Sequence, residues 1–591
     1  MKKLPAELID EKLAFIARYC SAANAADGSA LDSNANVTSK NIATLEAETC
    51  KDYVIQINRA AITHKIANLF DAQLAKEYVR QIEEHEIYVH DETSLKPYCA
   101  SITLYPFLLD GLTKLGGESR APKHLASFCG SFINLVFAVS AQFAGAIATV
   151  EFLTYFDYFA RKDLGDEYLQ THTKEIANHL QHVVYALNQP AAARGYQSVF
   201  WNISLYDEGY FNALFAHFVF PDGSAPVWQS VEKLQRYFMS WFNQEREKAI
   251  LTFPVITAAM LTHEGQVRDQ AFKAFCAEQL AAGNGFFIYQ SDNPDSLASC
   301  CRLRNEINDN TFSYTLGAGG ISTGSINVIT LNMNRLIQDG RELSVEVEKI
   351  HKYQVAYRSV MQDYLESHML SVYDAGFISM DKQYLTIGIN GMVEAAEAQG
   401  LQVGNNEQYK SFVRQQLQVI YEANRAASKE YGYLFNTEFV PAENLGVKNA
   451  KWDRNDGYSV PRDCYNSYFY VVEDDELNHL DKFILHGQEM VQYLDGGSAL
   501  HLNLAERLSI EQYAKLLDIS ARTGCNYFCV NVKCTICNSC EYIDKDTRYS
   551  CKQCGSQDID HGTRVIGYLK RVSAFSKGRR EEHSRRHYHL G

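Results

Sequence analysis

Four cysteines near the C-terminus constrain this chain more tightly than any other stretch. Cys537 and Cys540 form one Cys-x-x-Cys pair, and Cys551 and Cys554 form a second close behind it. Two such knuckles hold one tetrahedral metal, most often zinc, because four thiolates satisfy its charge and geometry. Cys534 lies three residues before Cys537, so a frame using Cys534 and Cys537 is also open. The frame with Cys540 is preferred because it leaves the shorter loop between knuckles. Four protein ligands close the coordination sphere, so the expected role is a structural staple with no position left for chemistry. The run RVIGYL follows, with Gly567 inside it. Taken alone, such a glycine reads as a turn or cap residue.

The rest of the chain is large enough to need no staple for its core. Its 591 residues are 46% hydrophobic and 21% charged, which suits one large domain with appendages. A net charge of −15 argues against a general nucleic-acid binder, which needs a basic surface to neutralise phosphates. No apolar run approaches the ~20 residues of a membrane span. The start, MKKLPAELIDEKL, carries charges where a signal peptide needs an apolar segment, so a cytoplasmic protein is expected. In that setting the 15 cysteines read as metal ligands and reactive thiols rather than disulfides.

An amphipathic helix pattern near residues 11–21 leads into a polar linker within residues 1–60. Further on, the short apolar runs LTFPVITAAM, GFFIYQSD and INVITLNMN alternate with helical stretches, which argues for α/β architecture with a largely parallel core. Cys99 follows a polar turn in YVHDETSLKPYCASITLYPF; a single cysteine there is ordinarily a small buried hydrophobe. Cys300 and Cys301 are adjacent in SLASCCRLRNEIND, where a mutual disulfide would be strained. Asn332 ends the VITLN run as a turn-forming asparagine would. Asn436, Glu438, Pro441, Ala442 and Glu443 fall in the strand-to-loop passage YLFNTEFVPAEN. The basic, His-rich tail, KGRREEHSRRHYHLG, is expected to be solvated.

Taken together, the knuckles, RVIGYL, the CCR run and the Cys99 segment resemble the anaerobic (class III) ribonucleotide reductases, which are glycyl radical enzymes. The resemblance runs from about residue 36 to the end. It implies a ten-stranded α/β barrel with surrounding helices over residues 61–525, zinc knuckles over 526–560, and a radical loop with the basic tail over 561–591. It leaves no room for a complete N-terminal ATP-cone. A stored radical is expected on Gly567, where the absent side chain lets the backbone flatten and delocalise the unpaired electron. Cys301, directly before Arg302, is the implied thiyl, with Cys300 standing where many members have glycine. Cys99 is the implied reducing thiol on the 2′ side of the substrate. Asn332 is the implied ribose contact, and Pro441, Ala442 and Glu443 lie over the phosphates.

Glu438 is the expected proton shuttle of the members that use a thioredoxin- or glutaredoxin-like donor. Ser299 stands where formate-using members carry methionine, in keeping with the redoxin subgroup; formate is the alternative. Also implied are a radical S-adenosylmethionine activating enzyme with an iron–sulfur cluster, ribonucleotide substrates (triphosphates expected), (d)NTP effectors and a homodimer. Two other readings compete: a different glycyl radical enzyme, against which the zinc knuckles count, and a non-catalytic zinc-ribbon binding protein, against which the acidic charge and the Cys99 and Cys301 segments count.

Overall fold

The computed structural model describes residues 3–29, 40–191, 197–294, 296–298, 304–306, 322–439, 444–564 and 567–589. Ten strands form its centre: β1 (Cys99–Ser101), β2 (Ile147–Ala148), β3 (Trp201–Tyr206), β4 (Val255–His263), β5 (Phe287–Ser291), β6 (Thr323–Asn332), β7 (Gln383–Asn390), β8 (Leu434–Glu438), β9 (Leu500–Leu504) and β10 (Tyr527–Val532). Their order is β8-β7-β6-β1-β2-β3-β4-β5-β10-β9. Strands β1 to β5 run parallel to one another. The pairs β6/β7, β7/β8 and β9/β10 are likewise parallel. The two groups meet antiparallel at β1/β6 and β5/β10.

The ends of this order also meet. Glu438 pairs with Gly497 in a parallel bridge. Phe439 N–H donates to Gly497 O (3.1 Å), and Gly496 N–H donates to Thr437 O (2.8 Å). β8 thus joins the turn that leads into β9, and the sheet closes into a barrel with no free edge.

Helices cover the outside because parallel neighbours need long crossovers. Trp228–Glu245 links β3 to β4, Leu343–Glu366 links β6 to β7, and Glu407–Tyr431 links β7 to β8. Local signals set their ends. Asn406 caps the last of these through Tyr409 N–H (2.9 Å), and Gly432 stops it at φ +71°. Phe128, Phe132, Phe152 and Trp201 pack ring on ring between β3 and its covering helices. No helix among the described residues is long and apolar enough to cross a membrane.

The C-terminal region is a separate antiparallel sheet of β11 (Cys534–Cys537), β12 (Ile543–Asp544), β13 (Ile559–Arg564) and β14 (Leu569–Arg571), in the order β12-β11-β13-β14. The tail is not solvated as its composition suggests. Helix Lys577–Arg585 buries Arg579 and Glu582, and Arg586 is buried just after it. His589 then pairs with Leu504, which extends the barrel at β9. Composition misleads here because Glu582 binds Arg586 at 2.7 Å and Arg579 at 3.3 Å, so the buried charges compensate one another. His583 packs against Phe575 and Tyr588, and His587 packs against His589.

Candidate active site

Register fixes which side chains face the barrel interior. On β8, Phe435 packs on His351 and Thr437 accepts from Asn424 Nδ2 (2.8 Å); both partners belong to covering helices. Successive side chains alternate, so Asn436 and Glu438 point the other way, into the lumen. Their register partners on β7 are Thr386 and Gly388, and those pair with Val328 and Thr330 on β6. Cys99 pairs with Ser325, which shares this face through its hydrogen bond to Thr386 Oγ1 (2.8 Å). Across the ring, the registers place Phe287, His501, Asn503, Cys529 and Asn531 on the lumen face. The barrel therefore encloses a largely polar space with thiols on opposite walls, Cys99 on β1 and Cys529 on β10.

Both amide atoms of Asn436 are buried with no hydrogen-bond partner among the described residues. A buried, unpaired amide costs free energy. An amide left open into a lumen is therefore suited to a ligand. Asn436 was noted in the sequence only beside Glu438, in an Asn-x-Glu pair, and Cys529 was not singled out. A signal for Cys529 was there: it alternates in phase with Tyr527 and Asn531 in NYFCVNV.

The Asn332 amide is hydrogen-bonded at the end of β6. Its Nδ2 donates to Asp453 Oδ1 (2.8 Å) and to His85 O (3.3 Å), and its Oδ1 caps the next helix through Arg335 N–H. It stands seven residues along β6 from Ser325, the partner of Cys99, or about 23 Å at the rise of a strand. Cys301, Pro441, Ala442 and Glu443 lie outside the described residues.

Gly567 is buried at the tip of the hairpin formed by β13 and β14, whose register pairs Arg564 with Leu569. Arg564 donates through Nη1 to the Gly567 carbonyl (2.7 Å), and its guanidinium lies 5.2 Å from the centre of the lumen ring of Phe287. Asn531 Oδ1 accepts from Arg564 N–H (3.2 Å) and from Thr563 Oγ1 (3.1 Å), which ties the hairpin to β10. Tyr568 packs edge-on against Phe200 (5.1 Å) and also meets Phe253 (5.6 Å). Phe200 in turn packs on Cys99 and Ala146. The hairpin tip and Cys99 therefore share one aromatic contact inside the barrel. The docked tail holds the same hairpin from behind, because Arg586 Nη1 donates to Arg564 O (3.1 Å).

The four knuckle sulfurs converge. The Cys537, Cys540, Cys551 and Cys554 ligand atoms lie within 4.8 Å of one another, and the 537/554 and 540/551 pairs are each 3.6 Å apart. A tetrahedron with zinc–sulfur bonds of about 2.3 Å has edges of roughly 3.8 Å, so the set fits zinc. Backbone N–H groups of Cys554 and Gln553 pull the Cys551 thiol down to about 6, toward the thiolate a metal needs. Cys534 is excluded from the cluster. Its sulfur lies under Gly562, where a Cβ would come within 2.5 Å of it.

Comparison with known proteins agrees with this geometry. Among curated proteins, no sequence matches the chain. A solved anaerobic ribonucleotide reductase is 28% identical with a TM-score of 0.86, covering 99% of this chain and 93% of its own. The Thermotoga maritima anaerobic ribonucleotide reductase with glycerol in its active site is 29% identical, with a TM-score of 0.82 and coverage of 92% and 90%. The same enzyme in complex with dATP and CTP is 28% identical, with a TM-score of 0.82 and coverage of 98% and 100%. The family description "anaerobic ribonucleoside-triphosphate reductase" matches residues 46–589. The chain belongs to the anaerobic ribonucleoside-triphosphate reductases, oxidoreductases that work as glycyl radical enzymes.

Proposed function

We propose that this enzyme reduces ribonucleoside triphosphates to 2′-deoxyribonucleotides with a radical stored on Gly567 and relayed to Cys301. The observation that carries the reading is the buried tip of the β13–β14 hairpin, held by Arg564 and packed through Tyr568 and Phe200 toward Cys99. An activating enzyme with an iron–sulfur cluster and S-adenosylmethionine removes one hydrogen atom from the Gly567 α-carbon. The glycyl radical takes a hydrogen atom from Cys301, and the resulting thiyl takes the 3′-hydrogen of the ribose. The 2′-hydroxyl then leaves as water after gaining a proton, for which Glu438 is the lumen carboxylate. Cys99 gives a hydrogen atom to C2′ and is left as a thiyl; a second thiol joins it as a disulfide, and the electron and proton so released reduce the 3′-ketone to the 3′ radical. Cys301 returns its hydrogen atom to C3′ and is again the thiyl, and the redoxin reduces the disulfide.

The unpaired amide of Asn436 is suited to bind the ribose or a phosphate oxygen. Asn332 shapes the end of β6, and Pro441, Ala442 and Glu443 follow β8 toward the phosphates. Zinc on the four knuckle thiolates supplies structure only: it clamps the sheet that aims the hairpin. Triphosphate substrates and a nucleotide effector site are supported by the complex of the Thermotoga maritima enzyme with dATP and CTP; a homodimer is part of the same proposal. A reducing, anaerobic cytoplasm suits this chemistry.

We assign the electrons to a thioredoxin- or glutaredoxin-like protein, because Glu438 faces the lumen as such a shuttle should. Formate is the second reading, and one observation favours it: the strand neighbour of Cys99 is Ser325, not a second thiol. Turnover of CTP and CDP by the activated enzyme, with redoxin or formate as sole reductant, tests both choices. Carbon dioxide released in step with product would replace the redoxin assignment. Failure of every ribonucleotide under a demonstrated radical would overturn the substrate class.

A further inference from the structure

Behind the radical hairpin, the C-terminal sheet and the barrel enclose a cavity of about 70 Å³. One water needs roughly 10–15 Å³ by the same measure, so the space takes a small multi-atom group. Arg246, Arg507, Lys545 and Arg564 line it together with Asn284 and Cys534. Two of these cations are already neutralised at the rim: Arg507 binds Asp546 (2.6 Å) and Lys545 binds Glu247 (2.6 Å).

The other two are not. Arg246 is 8% exposed and Arg564 4% exposed, and no described carboxylate forms an ion pair with either. Arg246 Nη1 reaches only neutral oxygens, Gly285 O (2.7 Å) and Asn284 Oδ1 (3.5 Å). Its Nε is buried with no partner among the described residues. The two guanidiniums flank the same glycine. A Cβ on Gly285 would lie 3.2 Å from Arg564 Nη2 and 3.9 Å from Arg246 Nη1.

Burial pushes the Arg246 guanidinium down to about 9, and the charge of Arg564 adds to this, so it is still a cation at neutral pH. The thiol of Cys534 cannot serve as counterion, because burial raises it to about 11. Two neighbouring buried cations without an anion are costly, and guanidiniums bind oxyanions in a fork.

We propose that this cavity is a binding site for a small oxyanion, phosphate-like or carboxylate, held between Arg246 and Arg564. The bound anion compensates both guanidiniums. Because Arg564 also holds the Gly567 carbonyl, occupancy couples the anion to the docked state of the hairpin. The binding claim stands apart from the reaction and can be read without turnover.

The test is thermal unfolding of the full chain at constant ionic strength, with chloride replaced stepwise by sulfate, phosphate, acetate or formate. The wild-type Tm is expected to rise and saturate with at least one oxyanion. The tetrahedral and planar arms tell the two anion shapes apart. Arg246→Met removes a buried unpaired charge, so in chloride it is expected to be at least as stable as wild type, with the saturable rise lost. Hydrogen exchange of residues 567–571 is expected to slow with the anion in wild type only. If Arg246→Met does not fold, the wild-type titration decides alone. A Tm that follows ionic strength alone, or an equal rise in a folded Arg246→Met, overturns the proposal.

Discussion

Replacing Cys551 with alanine removes one of the four ligands, and the structure indicates how far the damage should spread. The 18 residues from Cys537 to Cys554 contain little that folds unaided. Within them the apolar side chain buried apart from the ligands is Ile543, and Ile536 adds a second at the edge. Two buried isoleucines return roughly 3–6 kcal/mol. Ordering 18 residues costs about 18 kcal/mol even at the low figure of ~1 kcal/mol per residue. A structural zinc site supplies about 10–16 kcal/mol, which closes the gap.

Losing one thiolate should therefore melt the knuckles and leave the ten-stranded barrel standing. Zinc content is expected to fall from one per chain to near zero. Hydrogen exchange across residues 534–571 should approach that of an unprotected peptide, while β4, β6 and β7 stay protected. The β13–β14 hairpin pairs with β11 along Cys534–Cys537, so its tip should lose its position and glycyl radical yield should drop at least tenfold. A metal-free variant that keeps its exchange protection and radical yield would refute the reasoning.

Further expectations follow from other buried groups. Glu438→Gln should keep radical formation but lower redoxin-dependent turnover by about 10²–10⁴-fold, the usual range for a lost proton-transfer group; turnover at the wild-type level removes the shuttle role. Asn436→Ala should raise KM for the ribonucleotide about tenfold or more with little loss of Tm, measured by initial rates. Asp453 is fully buried and accepts from Asn332, Asn334, Arg335 and Tyr465, so Asp453→Ala should cost about 3–5 kcal/mol of stability in denaturant unfolding. Burial raises Glu151 to about 8, while the Leu104 N–H and Thr103 hydroxyl pull it down. Its folded value lies above the unfolded one, so its contribution is full below pH ~4.5 and is lost as pH rises to about 8, on the order of 5 kcal/mol in all. Glu151→Gln should flatten that part of the stability–pH curve.

How much of this could be read from the chain depended on the range of the interactions. The knuckles and RVIGYL are local patterns, and the structure brings the four sulfurs together as their spacing implies. The alternation of apolar runs with helices correctly indicated a largely parallel α/β core. Barrel closure was not legible from the residues, because the bridge joins Glu438 to Gly497 across 59 positions and neither residue announces it. Asn332 and Asn436 both end or edge a strand in sequence. Only tertiary partners tell the two apart: Asp453 holds the amide of Asn332, while that of Asn436 has no hydrogen-bond partner among the described residues. Cys534 fitted a knuckle frame by spacing and was removed from it by a glycine 28 residues later. The tail looked solvated because its charges are many, and it docks because they pair with one another.

The central claim is tested most directly by low-temperature EPR of the anaerobic protein after treatment with its activating enzyme, S-adenosylmethionine and a reductant. The fragment mass is then measured after brief exposure to air. A glycyl doublet, absent in Gly567→Ala, with backbone cleavage at residue 567 is the predicted result. No radical and no cleavage with a demonstrably competent activating enzyme, or a radical that survives Gly567→Ala, would contradict it.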